Sequence, residues 1–361
     1  MISNLLQFIS NQWEEAVVPT LSEYIKIPNK SPLFDPQWSE HGFMQQAVEL
    51  FAQWAQSQNI KGLSLNVIKT DNKTPIILID ITGQKNGSIL FYGHLDKQPE
   101  MIGWADDLGP WKPVRKDSRL YGRGSADDGY ALFCALTAIA SLQHTNTPHP
   151  RCIILIEACE ESGSYDLPFY MEQEKTRIGT PDLVIGLDSG CGNYDQLWST
   201  TSLRGVITGY LSVDVLSEGV HSGNASGIVP SSFRIIRHLL NRIENEKTGE
   251  ILVPELYTDI PQERLVQANQ AAQILGQHTY TEFPFLSGMQ AMHHEPLELI
   301  LNRTWRPTLS IIGAEGLPQG AQAGNVLRPN TTLKLSFRTP PNCQLDIASK
   351  RLKTILEADP P

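Results

Sequence analysis

Residues 88–96 read SILFYGHLD. An apolar run from Ile89 to Tyr92 passes through Gly93 into His94, and Asp96 follows two residues later. A run apolar at successive positions is what a strand buried on both faces looks like. Its carboxyl end then carries an imidazole and a carboxylate. Taken alone, this is a strand-end histidine with a hydrogen-bonded neighbour. It is also the arrangement of a metal-ligating histidine and the carboxylate that orients its ring.

The same pattern recurs on both sides. PIILIDITG (75–83), RCIILIEACEES (151–162) and PDLVIGLDSG (181–190) are further apolar runs, and GYALFCALTAIASL (129–142) between them is helical in pattern. Residues 1–60 read as helices interrupted near IPNKSPLFDP (27–36). Apolar strands separated by helices predict an α/β domain, its sheet mostly parallel and flanked by helices. From Trp198 the pattern changes. LWSTTSLRGVITGYLSVDV (197–215), PTLSIIGAEG (307–316) and NTTLKLSFRTPP (330–341) alternate apolar with polar residues, as strands with one solvated face do. Helical patterns at PSSFRIIRHLLNRI (230–243), PQERLVQANQAAQIL (261–275) and CQLDIASKRLKTILEA (343–358) accompany them. This second part is α+β, and the boundary falls near Leu203 to Gly205, giving domains of residues 1–203 and 204–361.

Composition limits the function. The chain has 361 residues, 40% hydrophobic and 19% charged, which fits folded domains and not disorder. Its 29 basic and 39 acidic residues leave a net charge of −10, which disfavours a nucleic-acid partner. No apolar run approaches the ~20 residues that span a membrane. The first stretch reads as an amphipathic helix and not as a signal peptide. Five cysteines without paired spacing read as reduced thiols of a cytoplasmic protein, mostly buried.

Polar clusters stand at the strand ends. His94 and Asp96 follow one strand, Glu160 and Glu161 a second, Asp188 a third. Asp127 and Asp128 lie in LYGRGSADDG (120–129), a Gly-rich turn that opens a helix. Each has a plain reading: a helix cap for an aspartate of the pair, a solvated strand exit for the glutamates. Ligands of open α/β sheets bind outside the carboxyl ends of the strands, however, and these residues point to one crevice. Carboxylates gathered around one imidazole repel one another unless a cation lies between them. Nitrogen and oxygen ligands without a thiolate suit zinc, or less often manganese or cobalt. Four candidate ligands and a spare glutamate suggest two metals sharing a carboxylate, about 3.5–4 Å apart.

These residues carry a resemblance. YGHLDKQP (92–99), LYGRGSADDG (120–129), EACEESGS (157–164), GLDSG (186–190) and GVHSGNASG (219–227) resemble, in order, the di-zinc metallopeptidases that include carnosinases, cytosolic nonspecific dipeptidases and aminoacylases. The dipeptidase/carnosinase branch is the nearest in flavour. The resemblance implies a zinc-exopeptidase-like catalytic domain and an α+β lid that also makes a homodimer. It implies two zinc ions per chain, with His94, Asp127, Glu161 and Asp188 as ligands, Asp127 bridging and followed by a cis peptide bond. Asp96 would orient His94. Glu160 would be the general base for a metal-bridging hydroxide that attacks the amide of a dipeptide or small peptide. His221 of the partner subunit would stabilise the oxyanion. Asn325 in GAQAGNVLRP (320–329) and Arg338 in LSFRTPP (335–341) match substrate-binding positions, and an arginine fork there would hold the peptide's free carboxylate.

One departure stands out. The family has a further histidine ligand close to its C-terminus, in a segment returning to the catalytic domain. This chain stops at LEADPP, and its last histidine, His294, lies in QAMHHEPLELI (290–300) inside the lid region. The expectation is therefore a fragment, or a short form with impaired catalysis. An N-acyl amino acid deacylase or a carboxypeptidase with the same metals is the alternative enzyme, and a non-catalytic dimeric binding protein the alternative outside enzymes. A nucleotide site at GRGSADDG fits neither a P-loop nor a dinucleotide fingerprint.

Overall fold

The computed structural model describes residues 2–360. The chain divides into two compact units, Met1–Gly190 and Cys191–Pro361.

The first unit contains strands β1 (Leu63–Ile68), β2 (Ile76–Ile81), β3 (Lys85–His94), β4 (Val114–Lys116), β5 (Arg119–Tyr121), β6 (Pro150–Glu157) and β7 (Leu183–Gly186). Five of them form one sheet in the order β1-β2-β6-β3-β7, and β4 pairs with β5 as a separate hairpin. The sheet is mixed. β6 and β7 run parallel to β3 on its two sides, whereas β2 is antiparallel to both β6 and β1. The expected α/β fold is present with fewer parallel ladders than the sequence suggests. A strand buried on both faces is mostly apolar whichever way it runs, so direction leaves no mark in Ile76–Ile81, whose one polar residue is Asp80.

The helices Val18–Lys26, Phe43–Ser57 and Ala131–His144 cover one face. Ala131–His144 is apolar on nearly every side and packs between the sheet and its neighbours. Phe133 in its first turn meets Phe51 and Trp54 edge-on, with ring centroids 5.1 and 4.6 Å apart. Ile77, Ile79, Ile81, Ile154 and Ile156 supply the sheet side of this core. The opposite face carries a smaller core of Leu78, Leu90, Ile153, Leu155 and Ile178. β7, read from sequence as a buried strand, is the sheet's edge, and Leu183 and Val184 on it are exposed.

The second unit holds β8 (Gly205–Asp214), β9 (Val220–His221), β10 (Thr308–Glu315), β11 (Val326–Leu327) and β12 (Asn330–Thr339). β12 lies between β10 and β8, antiparallel to both. The alternation seen in sequence places Leu333, Leu335 and Phe337 on one face, where the helices Ser232–Leu240 and Leu345–Glu357 contribute Ile236, Leu239, Ala348 and Leu352. A second small core joins the helices Gln262–Leu275 and Pro296–Thr304. His293 and His294 precede the latter helix and are exposed, and the His293 ring accepts from the Glu295 amide at 3.0 Å. All five cysteines are free; Cys152 and Cys159 are buried, Cys134 and Cys343 half-buried, and Cys191 exposed. No helix among the described residues is long and apolar enough to cross a membrane.

Phe133 is wholly buried. Phe133→Ala is expected to destabilise the first unit by about 3–5 kcal/mol, read as a lower denaturant midpoint at unchanged m-value.

Candidate metal centre

Parallel strands end on the same side, and here that brings the polar clusters together. His94 closes β3 opposite Glu157 of β6, so Glu160 and Glu161 emerge from β6 beside it. On the other flank Tyr92 pairs with Gly186, the Leu187 amide donates to the Tyr92 carbonyl, and Asp188 follows. Asp127 arrives from the turn that precedes the helix Ala131–His144.

The His94 side chain is fully buried. Its Nδ1 lies 3.1 Å from the Asp96 carbonyl oxygen and 3.4 Å from Asp96 Oδ1. A carbonyl can only accept, so Nδ1 carries the proton. Nε2 then faces Asp127 Oδ1 at 3.2 Å, Asp188 Oδ2 at 3.7 Å and Glu160 Oε2 at 3.8 Å. A lone pair aimed at three carboxylates is repulsive unless a proton or a cation stands between them. Burial opposes charge on His94, yet the hydrogen bonds to Asp127 and Asp96 outweigh it and push the imidazole up to about 11. Asp127 is held below the usual range by that same bond. Burial raises the carboxyls of Glu160 and Asp188, and pushes Glu161 up to about 7 and Asp128 up to about 8.

Two groups within this cluster offer one ligand atom per residue, all within 4.8 Å of one another: His94 with Asp127 and Asp188, and His94 with Glu160 and Glu161. Glu161 Oε1 and Asp128 Oδ1 are buried without a hydrogen-bond partner. Buried carboxylate oxygens left unpaired are costly, and a divalent cation is what such a donor set satisfies. The nitrogen and oxygen donors fit zinc, manganese or cobalt.

The loops that deliver these groups are held from below. The Asp96 carboxylate is wholly buried and accepts from the Glu160 and Glu161 amides at 3.1 and 3.0 Å. One aspartate thus holds the imidazole and the glutamate turn together. The peptide bond between Asp127 and Asp128 is cis. Asp128 caps no helix; its Oδ2 accepts from the His94 amide at 3.1 Å. Gly93 makes room for this, since a Cβ there would sit 2.6 Å from Asp128 Oδ2 and 2.4 Å from the Ala131 methyl.

Several supporting residues escape the sequence reading. Gln98 donates to Glu161 Oε2. Glu157, buried at the end of β6, accepts from Tyr92 Oη at 2.5 Å and Ser164 Oγ at 2.9 Å, closing the Glu160–Ser162 turn across its base. An acid at the end of an apolar run is the signal that marks Glu157. Nothing in the sequence distinguishes Gln98 from a surface glutamine.

His221, Asn325 and Arg338 lie in the second unit, all exposed. The short ladder between β9 and β11 sets His221 opposite Val326, and the Ser222 amide donates to the Asn325 carbonyl at 2.9 Å. His221 Nδ1 accepts from the Gly223 amide. Arg338 stands on β12 between Val206 and Thr308.

Residues 90–304, more than half of the chain, match the family model "Peptidase family M20/M25/M40". Over 385 aligned positions the chain is 26% identical to the Beta-Ala-His dipeptidase of Homo sapiens, covering 99% of this chain and 71% of that protein. It is 25% identical to the Cys-Gly metallodipeptidase DUG1 of Saccharomyces cerevisiae, covering 97% and 72%. The crystal structure of human carnosine dipeptidase 1 has the same fold, with a TM-score of 0.69 at 23% identity over 99% of this chain and 76% of that one.

Asp96→Ala removes the carboxylate that lies 3.4 Å from His94 Nδ1 and accepts from both amides of the glutamate turn, and leaves the Asp96 carbonyl in place. It is expected to weaken the binding of a divalent metal ion at this cluster by about 10–100-fold, measured by competition with a chromophoric chelator.

Proposed function

The chain belongs to peptidase family M20/M25/M40, a family of metallopeptidases, and from that premise we propose that it hydrolyses the amide bond of dipeptides or small peptides at the His94 cluster. The observation that carries this reading is His94 Nε2 facing Asp127, Asp188 and Glu160 at the ends of parallel strands. His94, Asp127 and Asp188 would hold one zinc ion, and Asp127 with Glu161 a second. Zinc bound there would polarise the scissile carbonyl and lower the pKa of a water.

The remaining steps belong to the chain's own residues. Glu160 takes the proton of the attacking water at its carboxylate and passes it to the leaving amine. Burial raises its pKa, which makes it a better base than an ordinary surface glutamate. Asp96 keeps the His94 tautomer fixed by accepting from Nδ1, and keeps Glu160 in place through its backbone amide. The Arg338 guanidinium holds the free C-terminal carboxylate of the peptide in a two-pronged hydrogen bond, and Asn325 assists in binding. His221 of the partner subunit donates to the developing oxyanion, so the working form is a homodimer joined through the second unit. Residues 1–203 act as the catalytic domain and 204–361 as the lid. Free thiols throughout the chain fit a cytoplasmic setting.

Glu160→Gln is expected to lower kcat by at least about 10²–10⁴-fold while bound zinc, measured by elemental analysis, stays at two per chain. Activity that survives the substitution would remove Glu160 from the mechanism. Arg338→Met is expected to raise KM for dipeptides by roughly 10–100-fold, the loss of a charged hydrogen-bonded pair. A panel of dipeptides, N-acyl amino acids and longer peptides distinguishes this activity from that of a deacylase or carboxypeptidase.

A further inference from the structure

Lys97, the residue after Asp96, has no role in the chemistry above, yet it is wholly buried. Its Nζ donates to the carbonyls of Tyr24 and Ile27 at 2.7 and 2.8 Å, at the C-terminal end of the helix Val18–Lys26. It also lies 3.7 Å from the centre of the Tyr24 ring and 5.4 Å from that of Trp111. Carbonyls at a helix C-terminus and an aromatic face are the surroundings that tolerate an amine without a carboxylate partner. Burial alone holds its pKa well below the usual lysine range. An amine satisfies both carbonyls in either protonation state, so the contact does not depend on which state it takes.

The segment that Lys97 grips runs on beneath the metal centre. The Lys97 amide donates to the Asn29 carbonyl, and the Ser31 amide donates to the Lys97 carbonyl. Tyr24 Oη and Asn29 Nδ2 both donate to the Leu95 carbonyl at 2.6 Å. Farther along, the Leu33 amide and the Ser31 hydroxyl meet Ser162 Oγ, on the turn that carries Glu160 and Glu161. The third loop is covered as well. A Cβ on Gly124 would lie 2.6 Å from Lys97 Cε, and one on Gly129 would lie 2.3 Å from Tyr24 Cε1. Those two glycines bracket Asp127 and Asp128. One lysine and one tyrosine therefore touch the His94–Asp96 loop and the Asp127 loop, and the segment they fasten reaches the Glu160 turn.

We infer that Lys97 is a positioning residue for the metal centre: with Tyr24 it locks residues 24–33 beneath three of the four ligand-bearing segments, those of His94, Asp127 and Glu161, and fixes their spacing. The inference deepens the proposed function and rests on that reading for its consequence, which is cation affinity.

The test compares the full chain with Lys97→Met, which keeps the aliphatic stem over Gly124 and removes the donors. Amide hydrogen exchange on the metal-free protein comes first. The expected result is at least tenfold faster exchange at Glu160, Glu161 and Gly129, with the β2 amides of Ile77–Ile81 unchanged. Unchanged loops, or equal acceleration in loops and β2, would overturn the inference, since a lysine serving only general stability would loosen both together. If Lys97→Met does not fold, Tyr24→Phe removes the hydroxyl's bond to the Leu95 carbonyl and leaves that of Asn29, and the same loop-selective acceleration is expected; its absence overturns the inference. Zinc titration against a chelator follows, with at least tenfold weaker binding expected in the variant and equal binding counting against the inference. A parent chain that binds no zinc would overturn the metal reading of the site, and the exchange comparison on metal-free protein would still decide the role of Lys97.

Discussion

His94 is held with one ring nitrogen donating to Asp96 and the other facing three carboxylates. Much of the surrounding architecture is a consequence of that placement. A buried imidazole in such a field needs its tautomer set, its neighbours kept apart and its backbone fixed. Asp96 does the first, and it also ties the Glu160 turn to the ring. Asp128 does the last by accepting from the His94 amide, in space that Gly93 leaves open. The carboxyls raised by burial and the one lowered by His94 are two aspects of the same crowding.

The sheet supplies the geometry at low entropic cost. β6, β3 and β7 run parallel, so their carboxyl ends lie side by side, and the residues that follow them meet without long loops. Asp127 is delivered separately, by the turn into a helix buried against the same sheet. Rigid elements thus set all four polar clusters, each within a few residues of a strand or helix end, and the segments that carry them are hydrogen-bonded to their neighbours. This is the condition under which a site keeps its shape before any ligand arrives.

Much of this can be read from residue types. Apolar runs ending in His, Glu-Glu or Asp mark buried strands whose exits are polar, and Ile89–Tyr92, Ile153–Ile156 and Leu183–Ile185 all prove to be strands. Period-two alternation in Asn330–Thr339 likewise identifies a strand with one covered face. What does not show is relational. The direction of β2 leaves no trace in a segment apolar but for Asp80, and the exposure of β7 depends on its place at the sheet's edge. Lys97 looks like a surface residue because lysines seldom lie buried, and only the end of a helix more than 70 positions earlier makes its burial tolerable. Glu157 gives a faint signal as an acid closing an apolar run, but its partners Tyr92 and Ser164 come from different elements.

The four clusters around His94 come from four separate stretches of chain, joined only when the sheet and the helix Ala131–His144 are in place. An unfolded chain has no comparable chelating segment, since the near neighbours in sequence are only pairs: His94 with Asp96, Asp127 with Asp128 and Glu160 with Glu161. A cation held at this centre would therefore favour the folded state almost exclusively. Its binding free energy would add to stability by mass action and grow with concentration. The ion would also report on late events in folding: contacts so distant in sequence close only after the costly ordering of the sheet has been completed.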